Sequence, residues 1–379
     1  MSRAAAMPSE NSGLVRGPSL WFRVHLDPIL LLLLLILGAG GLVVLYSGAD
    51  ASMDAVKSQV IRLSLALGAL VVFAQFDPAV YRRWSPWVYA VGVAGLVAVL
   101  LVGVGAKGAQ RWLALPGLPR FQPSELMKLV VPMMTAWYLS TKVLPPRLRH
   151  VAVALALVLL PMLLIVRQPD LGTSLLVGSA GLFVIFLAGM RWRLMVGFGV
   201  LVSICAPLMW LFGLREYQKQ RILTLLDPQS DPLGAGWNII QSKTAIGSGG
   251  VSGKGWLQGT QSHLEFLPES HTDFIVAVLA EEFGFVGICL LMLMYLLILL
   301  RCFYIAANAQ DTFSRLLAGA LTMTFFVYVF VNVGMVSGLL PVVGVPLPLV
   351  SFGGTSMVTL MAAFGVLMSI HTHRRMITA

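Results

Sequence analysis

GSGGVSGKGWLQGTQSHLEFLPESHTDFIVAVLAEEFG, residues 247–284, runs on into FVGICLLMLMYLLILL, so that from Ala277 to Leu300 the chain is apolar apart from Glu281 and Glu282. The first half is rich in glycine and able to bring backbone N–H groups close to a ligand. The second half supplies charge: Lys254, His263, Glu265, Glu269, His271 and Asp273, then the two glutamates. Asp273 falls where a loop enters a helix that continues into lipid. A carboxylate at that junction either caps the helix or belongs to a site.

Composition sets the class of everything around this stretch. The 379 residues are 58% hydrophobic and 11% charged, with a mean hydropathy of +0.86. No soluble domain of this length has that balance, so the chain reads as an all-α, polytopic integral membrane protein. The net charge of +10 does not indicate nucleic acid, because the basic residues stand singly between apolar runs and form no patch or arm. Cys205, Cys289 and Cys302 lie in or at the end of apolar runs, which points to neither a disulfide framework nor a thiolate metal cluster.

Residues 1–26 read as a disordered tail and residues 27–379 as one membrane domain. Apolar runs near 28–46, 57–75, 85–104, 124–141, 150–166, 173–189, 194–212, 274–300, 316–337 and 347–370 predict ten transmembrane helices, with one long loop over 213–273. An even number of spans puts both termini on one side. That side collects the arginines of the tail, Arg82, Arg83, Lys142, Arg147, Arg149, Arg191, Arg193, Arg301, Arg315, Arg374 and Arg375, so it is expected to be cytoplasmic and the long loop extracytoplasmic. Lys107, Arg111 and Arg120 gather on the opposite side, where they either snorkel to lipid head groups or meet an anionic ligand.

Ionisable residues inside spans need a partner or a task. Glu125 and Lys128 are three apart on the fourth span and share a face, either as a self-neutralising pair or with Lys128 in a cationic pocket beside Arg111. In RQPDLGTS, residues 167–174, a Pro-Asp turn with capping hydroxyls is the simplest reading. The Walker pattern fails around Gly253, since Ser248 stands where the first glycine belongs and Gly255 follows Lys254. His271 and Asp273 lack a third ligand at helical spacing, so zinc is not indicated. A hard cation such as Mg²⁺ shared by Asp273 and a phosphate stays open. An ionised carboxylate beside a helix start is suited to accept a proton, which makes Asp273 a candidate catalytic base as well as a cap. Glu281 lies eight residues on, about 12 Å deeper at helical rise, where burial against a polar partner is a simpler reading than catalysis.

Ten spans, together with AQRWL (109–113), FQPSELMK (121–128), RQPDLGTS and FLPESHTDF (266–274), and with NVGMVSGLLPVVGVPLPLVSFGGTS near the C-terminus, resemble the SEDS family over nearly the whole chain. The resemblance implies a peptidoglycan glycosyltransferase of the bacterial inner membrane. It would polymerise the membrane lipid substrate lipid II beside a single-span class B penicillin-binding protein with transpeptidase activity. It also implies that Asp273 is the essential loop aspartate and that Arg111, Glu125 and Lys128 are cavity charges. Lys254, His271 and Glu281, in the same loop-to-helix segment as Asp273, complete the substrate-binding candidates. A lipid II flippase and a non-enzymatic scaffold of the elongation machinery are the competing classes. A transporter tends to show repeated halves with broken helices, and no internal repeat is evident here.

Overall fold

The computed structural model describes residues 24–106, 109–113, 121–190, 192–213, 216–231, 234–263 and 270–373. The tail, Lys107, Arg120, Glu265 and Glu269 lie outside the described residues. Thirteen α-helices and one short hairpin are present among those described. They are α1 (Pro28–Gly48), α2 (Met53–Gln75), α3 (Pro78–Val102), β1 (Val104–Ala106), β2 (Ala109–Trp112), α4 (Pro123–Ser140), α5 (Leu148–Arg167), α6 (Leu171–Leu187) and α7 (Trp192–Leu208). Then follow α8 (Glu216–Leu226), α9 (Ala235–Gly249), α10 (Thr260–His263), α11 (Ile275–Ala307), α12 (Thr312–Val336) and α13 (Thr355–Thr372).

The ten expected spans correspond to α1 to α7 and α11 to α13. Seven of these are long and apolar enough to cross a membrane, and α6 is apolar but shorter at 17 residues. Lipid offers no partner for backbone polar groups, so each run closes its own hydrogen bonds as a helix. Helix starts are written locally. Asp27 and Asp77 each precede a proline at the first helical position, and their carboxylates accept the N–H groups of Ile29 and Leu30, and of Ala79, respectively. The fold puts α12 at the centre and α2 at the edge: 67% of the most apolar window of α12 is buried, against 17% for α2.

One boundary differs from the sequence expectation. The run at 347–370 was expected to be a single helix, but α13 begins only at Thr355. Pro346 and Pro348 cannot donate to a helix, so Leu347, Leu349 and Val350 instead enter the core from an extended connection spanning residues 337–354. The long loop is largely structured. Its α9 covers the expected WNIIQSKTAI segment and packs on the end of α12, where Ser242 Oγ donates to Val336 O at 2.9 Å.

Helix α11 is two helices joined at Gly284, whose φ of +64° and ψ of −159° break the ladder. The glycine run fills the break. Lys254 N–H donates to Glu281 O and Gly255 N–H to Glu282 O, both at 3.0 Å, while Phe285 and Val286 donate to Gly250 O and Val251 O. Here the sequence expectation is corrected: these N–H groups face the protein's own carbonyls rather than a ligand. Only glycine fits, because a Cβ on Gly253 would stand 2.1 Å from Glu282 O and one on Gly284 would stand 2.3 Å from Gly253 N.

The two described ends of the chain meet on the face opposite Asp273. His25 stacks on His373 with ring centroids 3.8 Å apart, and the buried Asp27 pairs with Arg301 at 2.6 Å and lies 3.4 Å from His371.

Candidate active site

Asp273 is half-buried in a turn, residues 270–274, that is held from three directions. Ser270 Oγ donates to Gly48 O at the end of α1 (2.8 Å), and Phe352 N–H donates to His271 O (2.9 Å). Asn332, fully buried on α12, donates from Nδ2 to both Asp273 O (3.0 Å) and Val345 O (2.7 Å). The carboxylate faces the connection, since a Cβ on Gly344 would lie 3.4 Å from Asp273 Oδ2. The expectation that Asp273 caps α11 is not met. Phe274 takes the N-cap position, and that cap makes no side-chain hydrogen bond.

A buried ionic cluster lies along the same face of α12. Lys128 Nζ is 2.7 Å from Glu125 Oε1 and 5.1 Å from the centre of the Tyr328 ring, and Ser356 Oγ donates to Glu125 Oε2 at 2.8 Å. Tyr328 and Asn332 are four apart on α12, which sets this cluster about 6 Å along the helix from the level of the Asp273 carbonyl. A third group hangs on the start of α6. Arg111 Nη2 donates to Pro169 O at 2.5 Å and its Nε is 3.8 Å from Asp170 Oδ2, while Gln122 Nε2 donates to Asp170 at 3.2 Å. Asp170, rather than the neighbouring hydroxyls, caps α6 by accepting from Thr173 N–H at 3.2 Å. That helix start touches the connection as well, because a Cβ on Gly172 would lie 3.0 Å from Val343 O.

The expected site residues thus divide. His271 and Asp273 share one turn, and the Glu125–Lys128 pair and Arg111 reach the same connection through Ser356, Tyr328 and Gly172. Glu281 and Lys254 point elsewhere. The Glu281 carboxylate is fully buried and holds Lys254 Nζ at 2.7 Å, Thr260 N–H at 2.8 Å and Gln261 N–H at 2.9 Å, tying α10 and the glycine run to the first half of α11. Its neighbour Glu282 accepts from Ser47 Oγ.

Three residues escaped the sequence reading. Asn332 positions the Asp273 turn, Tyr328 faces Lys128, and Arg62 on α2 lies 4.0 Å over the ring of Phe352, which in turn packs edge-on against His271 at 5.8 Å. The available signal was the same for all three: a polar or charged group in an apolar run, where it is costly without a purpose. Among the described residues no cluster of three or more His, Cys, Asp or Glu could hold a metal ion.

Residues 25–376 match the FtsW, RodA and SpoVE family, described as cell cycle proteins. The chain is 54% identical over 358 residues to the peptidoglycan glycosyltransferase MrdB of Escherichia coli K12, covering 94% of this chain and 96% of that one. It is 36% identical over 365 residues to a probable peptidoglycan glycosyltransferase FtsW of Geobacter metallireducens, covering 92% and 95%. Among solved structures, a chain from a peptidoglycan synthase complex coordinating polymerization and crosslinking superposes with a TM-score of 0.80 at 31% identity, over 92% of this chain and 99% of that one. The rod shape determining protein RodA of Thermus thermophilus superposes with a TM-score of 0.68 at 28% identity, over 91% and 96%. The chain belongs to the SEDS family of multi-pass membrane proteins, that of FtsW, RodA and SpoVE.

Proposed function

We propose that the chain is a peptidoglycan glycosyltransferase that polymerises lipid II during cell elongation, with Asp273 as its catalytic base. The observation that carries the assignment is the Asp273 turn: its backbone is fixed by Asn332, Phe352 and Gly48 while its half-buried carboxylate faces Gly344 of the connection. A base must be held rigidly where the proton is delivered. In the reaction, the 4-hydroxyl of an incoming GlcNAc gives its proton to Asp273 as its oxygen forms a bond to C1 of the MurNAc. The bond from C1 to the pyrophosphate oxygen breaks, and undecaprenyl pyrophosphate leaves with the electron pair. A single displacement of this kind inverts the configuration at C1.

The leaving pyrophosphate needs positive charge. Of the two cations expected there, Arg111 is the one that substrate oxygens can reach, its side chain being 37% exposed against 6% for Lys128. Lys128, paired with Glu125, shapes the wall beneath. Asp273 with substrate oxygens and water would form the oxygen-rich surroundings that suit Mg²⁺, which would supply further charge neutralisation at the pyrophosphate.

The chain sits in the bacterial inner membrane with both termini cytoplasmic and the Asp273 face outside. The contact between His25 and His373 supports ends on one side, and the distribution of Lys and Arg supports which side. A cysteine at Val251 is then reached by an impermeant maleimide from outside and one at Asn308 is not; the reverse pattern overturns the orientation. A transpeptidase of the class B penicillin-binding type is the partner, in line with the polymerization and crosslinking joined in the structural relative. The deciding experiment is polymerisation of purified lipid II in detergent by the wild-type complex and by Asp273→Asn. Glycan from the wild type and a loss of roughly 10²–10⁴ in rate for the variant are expected. Absent glycan from a folded wild-type complex, or near-normal turnover in the variant, refutes the assignment.

A further inference from the structure

The connection between α12 and α13 runs from the Asp273 turn into the body of the helices. Val345, Leu347, Leu349, Val350 and Ser351 are all buried, and a Cβ on Gly41, about 10 Å from the Gly48 end of α1, would stand 2.6 Å from Leu349 O. Irregular backbone at that depth is tolerated only where the protein itself satisfies its polar groups. Pro346 and Pro348 have no N–H to satisfy. Leu347 N–H donates to Ser351 Oγ at 2.8 Å, and Leu347 O accepts from Ser351 N–H at 3.1 Å. Three further carbonyls are each met by a side chain from a different helix: Val345 O by Asn332 of α12 at 2.7 Å, Pro348 O by the Tyr295 hydroxyl of α11 at 2.7 Å, and Ser351 O by Gln59 Nε2 of α2 at 3.0 Å.

Tyr295 holds the middle of these three points. One arm of the connection runs back from Pro348 to Gly344, which faces the Asp273 carboxylate, and the other runs forward to Phe352, whose N–H donates to His271 O at 2.9 Å. Between the arms Leu349 has a φ of +63°, a left-handed conformation that a leucine keeps only where its surroundings impose it. The Tyr295 side chain is fully buried, with its ring 5.8 Å from that of Phe325, so it is closed to substrate and acts only through what it touches. A phenylalanine ring would fill the same space. The hydroxyl therefore serves the hydrogen bond to Pro348 rather than the packing.

We propose that Tyr295 is a positioning residue for the glycosyl transfer: by holding Pro348 O it fixes the buried turn of the connection, and so sets Gly344 against the Asp273 carboxylate and Phe352 against the turn that carries it. The assignment rests on the glycosyltransferase reading and adds a residue that acts on the base from the protein interior. Without the hydroxyl, Pro348 O loses its donor and the left-handed Leu349 loses part of its support. The connection then spends less time in the arrangement that reacts. Substrate that binds both arrangements alike is held as tightly as before, so the loss falls on kcat and not on KM.

The test is Tyr295→Phe in the full-length protein with its transpeptidase partner, in nanodiscs. Glycan synthesis from lipid II is measured per folded molecule, and hydrogen exchange over residues 345–354 is followed by mass spectrometry. The kcat should fall about fivefold, the loss of one neutral hydrogen bond, with KM within about twofold of wild type. Exchange across 345–354 should quicken to a similar degree while peptides of α12 keep their wild-type rates. Tyr304→Phe, the same change on the same helix at an exposed tyrosine whose ring faces Arg301, should leave both readings unchanged. A lower melting temperature with wild-type kcat, a change in KM alone, or a fall in kcat with unchanged exchange overturns the proposal. A folded wild-type complex that makes no glycan is a separate result, and it sinks the enzyme reading on which the proposal rests.

Discussion

Replacing Gly253 with alanine asks whether the glycine run serves the protein or a ligand. Gly253 has a φ of +78°, and the added Cβ would stand 2.1 Å from Glu282 O and 2.4 Å from Glu282 C, both backbone atoms that cannot swing aside. The left-handed conformation alone costs alanine about 1–2 kcal/mol. Moving the run to relieve the clash breaks the bonds from Lys254 N–H to Glu281 O and from Gly255 N–H to Glu282 O. Each carbonyl left without a donor costs a further 1–3 kcal/mol or so. Together these come to at least about 3 kcal/mol, a fall of several degrees in melting temperature. Gly247→Ala is the control, because its Cβ meets nothing within 4 Å on α9 and a glycine removed from a helix gains about 0.5–1 kcal/mol. Thermal melts of both variants in nanodiscs, followed by tryptophan fluorescence and paired with lipid II binding, decide the matter. A Gly253→Ala protein that melts like wild type but no longer binds lipid II would show that the run cradles substrate and would refute this reasoning.

Arg301→Ala should lower stability by about 3–5 kcal/mol in the same melts, since it abandons the fully buried Asp27 carboxylate beside His371. Asn332→Ala removes the donor shared by Asp273 O and Val345 O, so glycan synthesis should fall by about tenfold or more while the protein still folds; unchanged turnover would exclude a positioning role. Burial and the stacked His373 hold His25 below its ordinary pKa of 6.5. The unfolded chain therefore binds its proton first, and stability should be full above pH 6.5 and decline as pH falls below it, with a flatter profile in His25→Phe. Identical profiles would remove His25 from the account.

The spans were legible because a run of some twenty apolar residues in lipid has one way to satisfy its backbone. The connection at 337–354 was not legible as a centre of the site, because Leu347, Leu349 and Val350 look the same whether they enter a helix or a buried turn. Lys254 and Glu281 stood among the substrate-binding candidates, with burial against a polar partner the simpler reading of Glu281, and the structure supplies that partner by pairing the two across 27 residues. Glycine content likewise shows that something approaches the backbone closely without showing what: here it is the broken end of α11. Asp273 was visible as a charge at a helix entrance. Asn332, which holds its turn, is a lone amide in an apolar run, and its meaning lies in a contact 59 residues away in sequence.

The break at Gly284 also bears on how the chain is made. Residues 275–283 carry two adjacent glutamates into the membrane, an unfavourable event for a helix arriving alone. Synthesis proceeds from the N-terminus, so Ser47 is already in place and Lys254 has already emerged when Glu282 and Glu281 appear. Each acid meets its hydrogen-bond donor on arrival. Moving the glycine run downstream of α11 by circular permutation would keep every native contact and reverse that order, stranding both carboxylates at the moment of insertion.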